Sequence, residues 1–223
     1  MNAAAKDGTV HLPVRPLGDS RRLKVLMVDV DGVLVHGRPG DGLHLFTYLE
    51  RDLGLSRELI QKEFFQTHWG NIVIGREDLE PQLAGVLAKI APGLSAATLI
   101  DYWFENDSRL DQTLLTDLAA LRATGIPMFL ATNQEHRRAA YLMENLGLSS
   151  YFDGIFYSAM LGYQKPASEF FRLATERVGI DPSEIAFIDD YPANIEAARQ
   201  FGWKAMHWAP GSRLEDALAA FSL

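Results

Sequence analysis

The chain has 223 residues, 48% of them apolar and 22% charged, which suits one sizeable folded core with a smaller accessory unit and excludes wholesale disorder. A formal net charge of -8 works against duplex nucleic acid, whose binding rests on cationic contacts to phosphates, and the pairs Arg21-Arg22 and Arg137-Arg138 are too short to form a basic stripe and are expected to be solvated surface. The absence of cysteine excludes a disulfide framework, a thiolate nucleophile and a cysteine-held metal, while the lack of any apolar run near the roughly 20 residues of a membrane span leads us to expect a cytoplasmic protein without a secretory leader.

Residues 1–21 mix Gly8, Pro13, Pro16 and Gly18 with isolated apolar residues and are expected to be an irregular lead-in. Leu23–Val28 then reads as a short strand buried on both faces. The same signal recurs at Pro127–Ala131, Gly154–Tyr157, Ile185–Ile188 and Trp203–His207. Amphipathic helices separate these strands, marked by Leu114, Leu115, Leu118 and Leu121 in one case and by Phe170, Phe171, Ala174 and Val178 in another. Strands alternating with helices predict an α/β fold with a doubly wound parallel sheet, whose ligands bind beyond the carboxyl ends of the strands.

The first connection is far longer than the usual 2 to about 6 residues. It therefore carries an inserted unit, and three apolar stripes make that unit helical: Leu59, Ile60, Phe64 and Phe65 behind a Ser56 cap; Leu79, Leu83, Val86, Leu87 and Ile90; and Leu99, Ile100, Trp103 and Phe104. The predicted organisation is a discontinuous core over residues 22–36 and 111–223, with a helical cap over 37–110. Because the insert leaves the sheet at the carboxyl end of the first strand, it is a candidate lid.

Asp29 and Asp31 stand two apart in extended chain, so both can face one crevice while Val30 turns away. Such a pair suits a metal site or an acid/base couple, and equally a turn or a helix cap. Gly32 beside it permits close backbone approach to a ligand. Thr132-Asn133, Gly162-Tyr163-Gln164-Lys165-Pro166 and Asp189-Asp190 fall at the ends of the other strands and would surround the same crevice. Thr132 also has the capping-box spacing to Glu135, and Asp189-Asp190 could cap the helix that Pro192 begins.

In these four elements and their order the sequence resembles the haloacid dehalogenase-like hydrolase superfamily: an apolar strand with Asp-x-Asp-Gly, a Thr strand end, Lys-Pro, then paired acids. The resemblance covers roughly residues 23–35 and 112–208, and the insert is placed as in members with a helical cap after the first strand. It implies a Rossmann-like core and a phosphatase in which Asp29 attacks phosphorus, Asp31 protonates the leaving alcohol and then activates water, and Thr132, Lys165, Gly32 and Asn133 hold phosphate. It further implies Mg2+ on the Asp29 carboxylate, the Asp31 main-chain carbonyl and Asp190, with Asp189 assisting. Asn194 stands where many relatives have an acid, and Tyr191 and Pro192 replace a small residue often found there.

The implied substrate is a small phosphorylated metabolite, a sugar phosphate among the candidates. A mutase would share the core residues, a dehalogenase would generally lack Asp31, and neither Lys62 nor Lys89 is compelling as the lysine a phosphonate hydrolase needs. A non-catalytic interaction module on the same fold is the alternative of another class. Among further residues, His36, His44, His68, Trp69 and Arg76 are weak substrate-contact candidates, and Trp103 belongs to a helix's apolar stripe.

Overall fold

The computed structural model describes residues 23–221, so the lead-in expected over residues 1–21 lies outside it. Val25–Val28 (β1), Met128–Thr132 (β2), Gly154–Tyr157 (β3), Ile185–Asp189 (β4) and Lys204–His207 (β5) form one parallel sheet in the order β3-β2-β1-β4-β5. Met27 at the centre lies between Phe129 of β2 and Phe187 of β4. The chain runs outward from β1 in one direction through β2 and β3 and in the other through β4 and β5. The order therefore reverses around β1, which places a crevice at its carboxyl end.

Alternation along the strands sends Leu26, Val28, Leu130 and Ile188 to one face of the sheet and Met27, Phe129 and Phe187 to the other. Helices cover both faces, and so every residue of β1, β2 and β4 is buried. Strand boundaries shift slightly from expectation. Pro127 has no N–H to donate and stays outside β2, although its carbonyl accepts the Leu26 N–H at 3.1 Å. At its other end, β2 extends through Thr132, which pairs with Tyr157.

Between β1 and β2 the chain forms Leu49–Leu53 (α1), Arg57–Ile60 (α2), Gln66–Ile72 (α3), Leu79–Ile90 (α4) and Ala96–Asn106 (α5). Ser56 caps α2 by accepting the Leu59 N–H, and Ser95 caps α5 through the Thr98 N–H. A wide π-type turn over Gln61–Phe65 joins α2 to α3. Phe46, Leu49, Phe64, Leu83, Ile100 and Trp103 give this insert an apolar core of its own. The two connections to the sheet run side by side: the His36 N–H donates to the Arg109 carbonyl and the Asp111 N–H to the Leu34 carbonyl, each at 2.9 Å.

The remaining helices are Gln112–Ala123 (α6), His136–Glu144 (α7), Ser158–Leu161 (α8), Ser168–Val178 (α9), Pro192–Phe201 (α10) and Leu214–Ala220 (α11). Asp111 caps α6 as its position suggests, accepting the Leu114 N–H at 2.9 Å. The capping-box alternative for Thr132 is overturned. Helix α7 opens after Glu135, whose carboxylate accepts the Arg137 and Arg138 N–H groups, while Thr132 is still part of the β2 ladder.

Candidate active site

Asp29 follows β1 directly and is anchored by its N–H to the Ile188 carbonyl of β4 at 3.0 Å. The chain then turns tightly, with the Leu34 and Val35 N–H groups both donating to the Val30 carbonyl at 2.8 and 2.9 Å. Gly32 makes the turn possible, since its φ is +79° and a side-chain carbon there would sit 2.1 Å from an Asp190 carboxylate oxygen. Asp29 is buried, whereas Asp31 opens onto the crevice.

Lys165 is brought in from the loop between α8 and α9. Asn133, just past β2, holds that loop with both ends of its amide: its oxygen accepts the Lys165 N–H at 2.8 Å and its nitrogen donates to the Lys165 carbonyl at 2.9 Å. The Lys165 ammonium consequently points inward, 2.9 Å from Asp29 and 2.5 Å from Asp189. Since the Asn133 side chain is committed to Lys165, the group it has left to offer a ligand is its main-chain N–H. The Gln134 amide nitrogen donates to the Asp31 carboxylate at 2.6 Å.

At the end of β4, Asp189 is fully buried, and Asp190 faces outward with its carbonyl 2.8 Å from His207 Nε2. The Asp189 carboxylate is surrounded by donors: Lys165, the Tyr191 N–H and both contacts of the Asn194 amide at 3.0 and 3.1 Å. Because the Asn194 nitrogen is turned to Asp189, its buried Oδ1 is left without a partner. Asp29, Asp31, Gly32, Thr132, Asn133, Lys165, Asp190, Tyr191 and Asn194 line a cavity of about 350 Å³, and none of these residues comes from the insert.

Lys165 lies between Asp29 and Asp189, so this buried group is one positive charge short. Burial pushes Asp29 up to about 8, with Lys165 opposing the shift and Asp189 adding to it. Loss of solvation at the crevice floor, together with the Asp107 charge, raises Asp31 to about 6; Arg138 pulls the other way. For Lys165, burial alone would lower its pKa, but the two carboxylates outweigh it and the net direction is upward. Asp190 is raised by burial and by the adjacent Asp189.

Carboxylate oxygens of Asp29, Asp189 and Asp190 lie within 4.8 Å of one another, an all-oxygen set suited to a hard divalent cation. With Asp189 fully buried and engaged by Lys165, the Tyr191 N–H and the Asn194 amide together, Asp29 and Asp190 are the freer pair. Asn194 lines the same cavity.

His36, His44, His68, Trp69 and Arg76 are not brought to this cavity. His36 approaches the Val33 carbonyl, His68 stacks on Phe64, Arg76 is exposed, and Trp69 leans on Trp103 in the insert's core. Sequence reasoning missed Gln134 and Arg138. A glutamine immediately after a ligand-bearing strand end was the available signal for the first. The second, expected as solvated surface, is instead 1% exposed on the buried face of α7, where an arginine calls for partners.

A haloacid dehalogenase-like hydrolase family model matches residues 23–202. Fructose-1-phosphate phosphatase YqaB of Escherichia coli (strain K12) is 34% identical over 80 residues, covering 36% of this chain and 43% of the relative. A phosphoglycolate phosphatase of Thiobacillus denitrificans is 27% identical over 194 residues, 81% of this chain and 80% of the relative. The chain thus spans under half the length of the first and four fifths of the second. Among solved structures, a HAD family enzyme of Bacteroides thetaiotaomicron in complex with magnesium superposes with a TM-score of 0.73 at 21% identity, covering 87% of this chain and 97% of that one.

Proposed function

The chain belongs to the haloacid dehalogenase-like hydrolase family, and from that premise we propose that it is a magnesium-dependent phosphatase acting on a small phosphorylated metabolite through an aspartyl-phosphate on Asp29. The observation that carries this reading is the convergence of Asp29 and Asp31 with Thr132 and Lys165 on a single cavity. The names of the two curated relatives, both phosphatases of small phosphorylated compounds, support the substrate class.

In this reading Thr132 donates its hydroxyl to a phosphate oxygen, while Gly32 and the Asn133 N–H leave room for a close backbone approach. Lys165 holds Asp29 aimed at the cavity and balances charge spread over the phosphoryl oxygens. An Asp29 oxygen forms a bond to phosphorus as the ester P–O bond breaks, and the departing alkoxide takes the proton carried by Asp31. The Asp31 carboxylate then takes a proton from water. The resulting hydroxide attacks phosphorus, the acyl-phosphate P–O bond breaks, and Asp29 is regenerated with release of phosphate. The Asp29 and Asp190 carboxylates and the Asp31 carbonyl, with Asp189 assisting, would hold magnesium, which would supply positive charge to offset that of the phosphate. The insert over residues 37–110 serves as a cap that excludes water during the reaction.

The test is release of phosphate from p-nitrophenyl phosphate and a panel of phosphorylated metabolites, with magnesium or with EDTA, by wild type and Asp29→Asn. Wild type should turn over substrate only with magnesium, and Asp29→Asn should lower kcat by about a thousandfold or more. Full activity of Asp29→Asn would refute the nucleophile. Absence of turnover by wild type across the panel would refute the phosphatase reading.

A further inference from the structure

The segment just past β2 grips a different part of the molecule with each residue. Asn133 holds the Lys165 loop, Gln134 holds Asp31, the Glu135 carboxylate caps α7, and Arg138 reaches the insert. Gln134 is the member whose position reports on the insert. It is buried, and its carbonyl accepts both the Ala159 N–H and the Ser158 hydroxyl at 3.1 Å. The same Ser158 hydroxyl approaches the carbonyl of Val73, at the end of α3 in the insert, at 2.5 Å. One hydroxyl has one proton to donate, so two carbonyls share it, one from the insert and one from Gln134. The contact is tight: a side-chain carbon on Gly75 would lie 2.5 Å from the Ala159 carbonyl oxygen.

Resting on the phosphatase reading above, we propose that Gln134 is a positioning residue for Asp31, and that its seat is completed by the docking of the Val73 end of the insert through Ser158. The Gln134 amide nitrogen donates to the Asp31 carboxylate at 2.6 Å, and the Gln134 backbone is itself fixed by the two donors on its carbonyl, so the direction in which Asp31 faces the cavity is set from this residue. The coupling runs Val73, Ser158, Gln134, Asp31, so the proton carrier is oriented when the insert is seated and water is excluded.

The experiment compares kcat/KM for p-nitrophenyl phosphate, whose phenolate leaves readily, with that for phenyl phosphate, whose leaving group needs a proton. The enzymes are wild type, Gln134→Met and Ser158→Ala, each with magnesium. Gln134→Met keeps length and removes the amide. It should lower the phenyl to p-nitrophenyl ratio about tenfold, a fraction of what a positioned general acid contributes, and Ser158→Ala should move the ratio the same way by roughly threefold. A purely structural role lowers both substrates together and leaves the ratio where it was, which would overturn the proposal for Gln134. A lowered ratio in Gln134→Met with none in Ser158→Ala would overturn the link to the insert. Should Gln134→Met fail to fold, Ser158→Ala carries the test by the same ratio. If wild type turns over neither aryl phosphate, it is the phosphatase reading that fails; an active wild type with unmoved ratios defeats this inference alone.

Discussion

Gly32 combines a left-handed φ of +79° with an Asp190 carboxylate packed where a side chain would begin. Asp190 is therefore placed by what Gly32 lacks as much as by its own strand. In Gly32→Ala the backbone strain alone costs about 1–2 kcal/mol, but the larger effect falls on Asp190, which must swing out of the cluster it forms with Asp29 and Asp189. We expect magnesium affinity, measured by titration calorimetry, to drop at least about tenfold, as when a ligand loses its support. Unchanged affinity would mean that Asp190 is not a metal ligand. Asn194 shows the same economy: a carboxylate there would have no protons to donate to buried Asp189, whereas the amide nitrogen donates to both of its oxygens.

At the level of elements, Arg138 joins core to insert. It is 1% exposed, its guanidinium donates to the Phe104 and Asp107 carbonyls at the end of α5, and it lies 3.4 Å from the Asp107 carboxylate. A cation at a helix C-terminus satisfies carbonyls that have no intrahelical partner. Arg138→Met would leave those carbonyls and a half-buried carboxylate without a donor, a loss of about 3 kcal/mol in urea unfolding. Hydrogen exchange should accelerate over residues 104–110 before it does so in β1; a loss under about 1 kcal/mol would show that water replaces the guanidinium. The sheet was legible because β1, β2 and β4 are unbroken apolar runs, and their order along the chain brought Asp29, Thr132, Lys165 and Asp189 to one edge. The partners of Gln134, Ser158 and Arg138 were not legible, because each acts on a group distant in sequence. The π-type turn at Gln61–Phe65 and the pairing of His36 with Arg109 escaped for the same reason: tertiary packing, not local propensity, sets them.

For the whole molecule the deciding quantity is the surplus of carboxylates around one lysine. Folding raises Asp29 to about 8 and Asp31 to about 6, so the metal-free native state binds more protons than the unfolded chain between about pH 4 and 8. A raised carboxyl gives stability that is fully present below its unfolded value and is lost as pH climbs through its folded value. Metal-free protein should therefore lose thermal stability on going from pH 5.5 to pH 8, Asp29 contributing more than the crevice-exposed Asp31. A divalent cation reverses the balance, because it binds the ionised carboxylates and displaces their protons. Saturating magnesium should raise Tm more at pH 8 than at pH 5.5, by about 5 °C or more for a cation held well below its working concentration. Differential scanning calorimetry with magnesium or EDTA at the two pH values measures both slopes. If instead the metal-free Tm rose with pH and magnesium added the same increment at each, Lys165 alone would be keeping Asp29 ionised. Magnesium binding would then displace no protons from the cluster.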